Sequence, residues 1–214
     1  EYLDENKDSD KPFFLYMALT APHIPLFPSK EFKGKSKIGD YGDLVMMIDD
    51  IVGRVNRKLK EIGKYDNTIV MFAADNGCAG YINMDRINRK GHYPSYIYRG
   101  YKSHGWEGGH RIPFILSWGD RYGHVTDNSL VSLTDLYATF ADMLSYRIAD
   151  DEAEDSFSFW PILDGSGNAA RTDLIATSGA GYFTYRTPQY KLIFNAGNGS
   201  GEEYRICLLY TSDA

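Results

Sequence analysis

Residues 68–77, TIVMFAADNG, run four uncharged strand formers, Ile69 to Phe72, almost directly into a carboxylate, an amide and a glycine. An apolar run with no polar alternation reads as a strand buried on both faces of a parallel or mixed sheet. In open α/β sheets ligands bind outside the carboxyl ends of the strands, and there Asp75 and Asn76 offer two oxygen donors side by side. Gly77 lets the chain turn away at once. The same tripeptide also suits an Asx turn that does no more than end a strand.

The preceding chain sharpens the choice. Residues 12–19, PFFLYMAL, form a second apolar run with strand composition, followed by Thr20-Ala21-Pro22-His23-Ile24-Pro25. Two prolines predict an extended segment that stops the strand and displays His23 at its end, either simply exposed or in a functional position. Between the two runs, residues 41–62 carry apolar side chains at helical spacing, including Leu44, Ile48, Ile51, Val55 and Leu59. Asp40 is positioned to cap this helix and Gly63 to end it. Strand, helix and strand in this order predict a right-handed crossover between parallel strands, with His23 and Asp75 at the same sheet edge.

Composition excludes several classes. Charged residues make up 24% and apolar residues 43% of 214, a globular balance, and the net charge of −6 argues against a broad basic surface for nucleic acid. No run of 18 apolar residues suggests a transmembrane segment. No signal-peptide pattern opens the chain, and EYLDENKDSDKPFF reads as an internal start. The two cysteines, Cys78 and Cys207, form neither a metal-ligand spacing nor a disulfide framework; Cys78 reads as a small buried thiol.

Residues 78–101 read as a long loop in which tyrosines alternate with Arg86, Arg89, Lys90, His92 and Arg99. Rings and cations together suit an anionic, hydroxylated ligand, and equally a solvated loop with aromatic anchors. In RGYKSHGWEGGHRIPFILSW, Gly108-Gly109 predicts a turn into a strand over 112–118. Lys102, Arg99, His104, His110 and Arg111 crowd cationic groups near that strand end, where they could neutralise an oxyanion. A second helix over 132–144 has Leu133, Leu136, Tyr137, Phe140, Met143 and Leu144 as its apolar face, and residues 157–163 read as a short buried segment. A strand over 174–177 and a hairpin around Thr187-Pro188-Gln189 indicate a small antiparallel sheet.

Taken in order, FFLYMALTAPHIPLFP, YGDLVMMIDDIVGRV, DNTIVMFAADNG, RGYKSHGWEGGHRIPFI, SLTDLYATFADML, SFWPIL and YRTPQYKLI resemble the C-terminal portion of a type I, formylglycine-dependent sulfatase of the arylsulfatase kind, within the alkaline-phosphatase-like superfamily. The resemblance runs from about residue 12 to 195. It implies an α/β fold: part of an α/β/α sandwich over 1–178, a small C-terminal antiparallel subdomain beginning at 179–203, and an unassigned, non-native-looking tail over 204–214. It further implies that Asp75 and Asn76 ligate a divalent cation, calcium with magnesium as the alternative, and that His23 contacts the ester near its leaving-group oxygen. Lys102 is implied to bind a sulfate oxygen, and His92, Tyr93 and Tyr96 to line the substrate pocket. By the same resemblance, Glu107, Gly108, Gly109 and Arg111 are structural.

The resemblance also exposes a gap. The family's formylglycine arises from a Cys or Ser in a C/S-x-P-x-R pattern, which neither cysteine nor any serine here begins. The chain therefore reads as a fragment, inactive alone, of an enzyme that hydrolyses sulfated carbohydrates or aryl sulfates, with a periplasmic or secreted location as the family's expectation. The alternatives are a phosphodiesterase or phosphonate hydrolase of the same superfamily, a non-catalytic module for sulfated glycans, and a chain that does not fold alone.

Overall fold

The computed structural model describes residues 1–122, 124–196 and 202–208. The chain divides into two compact units, one of Glu1–Tyr96 with Ile112–Val125 and one of Ile97–Arg111 with Thr126–Ala214.

The first unit contains helices α1 (Tyr2–Glu5), α2 (Asp40–Glu61) and α3 (Met84–Asn88) and strands β1 (Ile69–Ala73) and β2 (Phe114–Trp118). Helix α2 buries Leu44, Ile48 and Leu59, all on the predicted stripe. Its start differs from expectation. Gly39 is the N-cap and Asp40 lies inside the first turn. Asp43 instead reaches back, its carboxylate accepting from Gly34 N at 2.7 Å and Ser36 N at 2.8 Å. At the other end Gly63 adopts a left-handed φ of 69° and its N–H closes onto the Lys60 carbonyl at 3.1 Å, as an αL helix stop requires.

The predicted parallel crossover does not form. Residues 12–19 carry no strand, and Phe14 and Tyr16 are 77% and 80% exposed. Strand β1 pairs antiparallel with β2, Ile69 opposite Trp118 and Ala73 opposite Phe114, and Ile69 to Phe72 are half-buried and Ala73 exposed rather than covered on both faces. An apolar run becomes a buried central strand only when neighbours bond both its edges, and no described strand pairs with 12–19. The predicted loop over 78–101 is also partly helical, because Ile82 and Ile87 are buried at 6% and 1% exposure and anchor a 3₁₀ turn (Gly80–Ile82) and α3.

The second unit contains α4 (Glu107–His110), α5 (Leu136–Met143), α6 (Trp160–Asp164) and the antiparallel sheet β3 (Leu174–Thr177), β4 (Phe183–Arg186), β5 (Tyr190–Ala196) and β6 (Glu202–Leu208), paired in sequence order. The hairpin forms around 187–189 with Arg186 opposite Lys191. Residues 204–208, unassigned from sequence, belong to β6; the remainder of that tail, 209–214, lies outside the described residues.

Alternation divides the sheet into two faces. Thr184, Lys191 and Ile193 are buried on one, while Ile175, Phe183 and Tyr190 stand exposed on the other. Helix α5 buries Ala138, Thr139 and Ala141; of its predicted apolar face Leu136, Phe140 and Met143 are half-buried and Leu133, Tyr137 and Leu144 exposed. The cause is a polar anchor. Asp135 accepts from Ser132 N at 2.7 Å and Phe157 N at 3.0 Å, Thr139 Oγ1 accepts from Phe159 N at 3.1 Å, and these bonds turn the small-residue side of α5 inward.

Candidate active site

In the first unit, β1 ends at Ala73 and the chain bends through Asp75, Asn76 and Gly77, as the sequence predicts. Asp75 is exposed, and among the described residues its carboxylate makes no hydrogen bond or ion pair. Asn76 donates from Nδ2 to the Gly77 carbonyl at 2.9 Å, which leaves Oδ1 as its open end. Two hard oxygens on one turn suit calcium or magnesium, which take six or more oxygen ligands, so the pair fits as part of such a sphere. Among the described residues no cluster of three or more His, Cys, Asp or Glu could hold a metal alone.

His23 reaches the same unit by a different route from the one predicted. The TAPHIP segment turns instead of extending: His23 N donates to the Thr20 carbonyl at 3.1 Å, and both X-Pro bonds are cis. His23 Nδ1 lies 2.9 Å from the Ile24 carbonyl. A carbonyl only accepts, so Nδ1 carries the hydrogen and Nε2 is the free nitrogen. The ring meets Tyr81 edge-on at 5.8 Å, and Ile24 N donates to the Tyr81 hydroxyl at 3.3 Å. Tyr81 follows Asn76 by five residues, so this contact joins the His23 turn to the chain leaving the Asp75 turn. Nothing in the sequence marked Tyr81 for that task.

Cys78 fixes a third piece. Its Sγ lies 3.0 Å from Ser95 Oγ and 3.7 Å from Met84 Sδ, and burial pushes the thiol up from its usual pKa, consistent with a structural role. Tyr41 of α2 lies in the same neighbourhood; burial, with Cys78 and Tyr81 adding, pushes its phenol up to about 12. Ser95 belongs to the turn that presents His92, Tyr93 and Tyr96, all exposed, closed by Tyr96 N donating to the Tyr93 carbonyl at 2.8 Å. The structure thus ties this turn to the residue three places after Asp75.

Lys102 belongs to the second unit, on a loop built from its glycines. Gly108 N donates to the Arg99 carbonyl at 2.8 Å, and a Cβ on Gly108 would lie 2.2 Å from the Gly100 carbonyl oxygen. A Cβ on Gly109 would lie 2.2 Å from the His104 carbonyl oxygen. Only glycine permits this approach. Arg99 stacks on Trp106 at 3.9 Å, and Arg111 on Tyr98 at 4.8 Å, so these two cations are engaged by rings, whereas Lys102 has no hydrogen bond or ion pair among the described residues.

The unit carries two buried ion networks, one of them at α4 beside that loop, and the sequence pattern singled out neither. Glu107, 5% exposed, accepts from Lys191 Nζ at 3.0 Å and Arg186 Nη2 at 3.4 Å, with Arg111 Nη1 4.0 Å away. Desolvation pushes the Glu107 carboxyl up, but the Lys191 and Arg186 charges outweigh it and hold the group below its usual value. Lys191 also donates to His110 Nδ1 at 3.1 Å; desolvation and then the Lys191 charge hold His110 below its usual value. Elsewhere in the unit Arg171 grips Asp135 in a fork, Nε to Oδ2 at 2.9 Å and Nη2 to Oδ1 at 2.7 Å, and donates to the Asp155 carbonyl at 2.6 Å. A charged residue placed between apolar neighbours in strand β5, as Lys191 is in YKLIF, was the available signal.

A sulfatase family model matches residues 1–146. The chain belongs to the sulfatase family. It is 34% identical over 169 residues to an N-acetylgalactosamine-6-O-sulfatase of Bacteroides thetaiotaomicron, covering 78% of this chain and 33% of that protein. It is 36% identical over 158 residues to an arylsulfatase of Hemicentrotus pulcherrimus (73% and 28%), and 35% over 172 residues to the human N-acetylgalactosamine-6-sulfatase (76% and 31%).

Among solved structures, one from work on the metabolism of multiple glycosaminoglycans by Bacteroides thetaiotaomicron superposes with a TM-score of 0.81 at 31% identity, covering 90% of this chain and 40% of that one. The PsFucS1 sulfatase from Pseudoalteromonas sp. gives 0.75 at 26%, covering 98% and 42%. The fold is therefore of the alkaline-phosphatase-like sulfatase type. This sulfatase chain spans about a third of the length of the curated relatives it matches.

Proposed function

We propose that the full-length protein carrying this chain hydrolyses sulfate esters, and that this part of it supplies anion, leaving-group and metal contacts. The observation that carries the reading is Lys102: a cation with no hydrogen bond or ion pair among the described residues, on a loop packed so closely against α4 that Gly108 and Gly109 admit no side chain, within a chain that matches the sulfatase family. An ammonium held in a fixed place stabilises charge developing on a sulfate oxygen without reorganising during reaction.

His23, with its Nδ1–H committed to the Ile24 carbonyl, would as the imidazolium carry a second hydrogen on Nε2, pass it to the departing alcohol oxygen and be left as the neutral ring. Asp75 and Asn76 would hold part of a calcium or magnesium sphere, whose positive charge draws the ester oxygens into place. Formylglycine, when present, supplies the nucleophile for sulfur, and its sequence pattern is absent from these 214 residues. His92, Tyr93 and Tyr96 are assigned to the substrate pocket, with rings suited to a sugar face.

N-acetylgalactosamine-6-sulfatases among the relatives favour a sulfated carbohydrate over an aryl sulfate as the working substrate. The relatives and the second solved structure named above are sulfatases, which favours the sulfuric ester over the phosphate diester. A periplasmic or secreted location belongs to the same proposal and rests on the family resemblance. The test is release of inorganic sulfate from an aryl sulfate and from a 6-sulfated amino sugar by the full-length protein. Turnover of neither, with turnover of a phosphate diester, would overturn the reading.

A further inference from the structure

Among the described residues Lys102 has no side-chain partner to aim it, yet both its neighbours are fixed. The Tyr101 carbonyl accepts from His104 N at 3.0 Å, and the Ser103 carbonyl accepts from Gly179 N at 2.9 Å. Ser103 holds a left-handed φ of 75°, which a serine keeps only where its surroundings impose it. Beneath these residues lies α4. A Cβ on Gly109 would stand 2.8 Å from the Tyr101 carbonyl oxygen as well as 2.2 Å from that of His104, and one on Gly108 2.8 Å from that of Arg99. The loop over 99–104 and α4 are in backbone contact, so neither moves without the other.

A four-residue helix cannot set its own orientation. Glu107 sets it, through Oε1 to Lys191 on β5 and Oε2 to Arg186 on β4. Buried ion pairs are weak devices for stability, because desolvation offsets most of the attraction and a well-packed apolar pair often serves as well. What the pair adds is direction: a carboxylate bonded at each oxygen to a different strand has one rotation available. The geometry points to Glu107 and Lys191 as positioning residues for Lys102, an inference that rests on the assignment of Lys102 to a sulfate oxygen. The chain of contact runs from Lys191 to Glu107, to the glycines of α4, to the Tyr101 and His104 carbonyls, and so to the direction in which Lys102 leaves the backbone.

The test is a double-mutant cycle in the full-length protein on an aryl sulfate, with Lys102→Ala, Lys191→Met and the two combined. Lys191→Met is expected to lower kcat by on the order of 10–100-fold, the scale of a misplacement of about 1 Å. On the Lys102→Ala background it is expected to cost less than about twofold, since nothing remains to be aimed. Lys191→Arg, which keeps the charge, should recover most of the loss. If Lys191→Met does not fold, Glu107→Gln takes its place in the same cycle. Additive losses, or full turnover by a folded Lys191→Met or Glu107→Gln, would overturn the proposal while leaving Lys102 its role. A rate unchanged by Lys102→Ala removes the Lys102 assignment itself, and this inference with it.

Discussion

The candidate residues of the two units are held in opposite ways. In the first unit His23, Asp75, His92, Tyr93 and Tyr96 stand exposed on turns held by contacts between uncharged groups, such as Cys78 to Ser95 and Ile24 N to Tyr81. In the second, Lys102 sits on a loop pressed against α4, and the same unit carries two buried ion networks. The difference fits the roles proposed for each set. Oxygen donors to a cation lose their use if the protein pairs them beforehand, and Asp75 makes no hydrogen bond or ion pair among the described residues. A lone ammonium meeting an anion gains from being fixed beforehand, and the ion network at α4 beside the Lys102 loop is charged and buried.

That contrast predicts stability defects at the Arg171–Asp135 network of the second unit and chemical or metal defects, with the fold intact, in the first. The largest effect is expected for Arg171→Ala, which removes the countercharge of Asp135, a carboxylate with 0% exposure left with only backbone donors, and should cost about 3–5 kcal/mol in urea denaturation of the full-length protein. A loss below about 1 kcal/mol would show that the network supports little. Next is His23→Ala, expected to lower kcat by roughly 10²–10⁴-fold, most for poor leaving groups, with an unchanged melting temperature. A parallel drop in melting temperature would erase the distinction between the units.

Asp75→Asn should weaken calcium binding by on the order of tenfold or more in titration calorimetry, again with the fold intact. An unchanged affinity would remove Asp75 from the metal.

Acid should act on the second unit in two stages. His110 is held below its ordinary 6.5, so the stability it contributes is complete above that value and is lost as pH falls toward its lower folded value. Glu107 is held below its ordinary 4.5, so its contribution is present above that value and disappears as pH falls further. Denaturation midpoints measured from pH 7 to 3 should decline through both windows, and His110→Asn should flatten the upper one. Smallest is Ser132→Ala, which removes the side-chain half of a capping box with Asp135 and should cost about 1 kcal/mol.

The legible features were those whose cause is local. The helical stripe of α2, the glycine stop at residue 63, the hairpin at 187–189 and the strand ending before Asp75 follow from side-chain periodicity and from residues that only certain backbone angles accept. The expected parallel strand over 12–19 failed because its burial depends on neighbours that sequence pattern does not name. The apolar face of α5 was met in part: Leu136, Phe140 and Met143 are half-buried, while the fully buried side is the small-residue one that carries Thr139, next to the bonds made by Asp135.

The sequence alone determined the family, through ordered motifs, and named the residues proposed for the chemistry: an oxygen pair at 75–76, a histidine at 23 and a lysine at 102. Tertiary structure alone decided how each is held. Tyr81 meets His23 across 58 positions of chain, and Lys191 meets Glu107 across 84. Contacts over such separations are set by how the elements pack, and packing is a property of the folded chain that no local pattern of residues encodes.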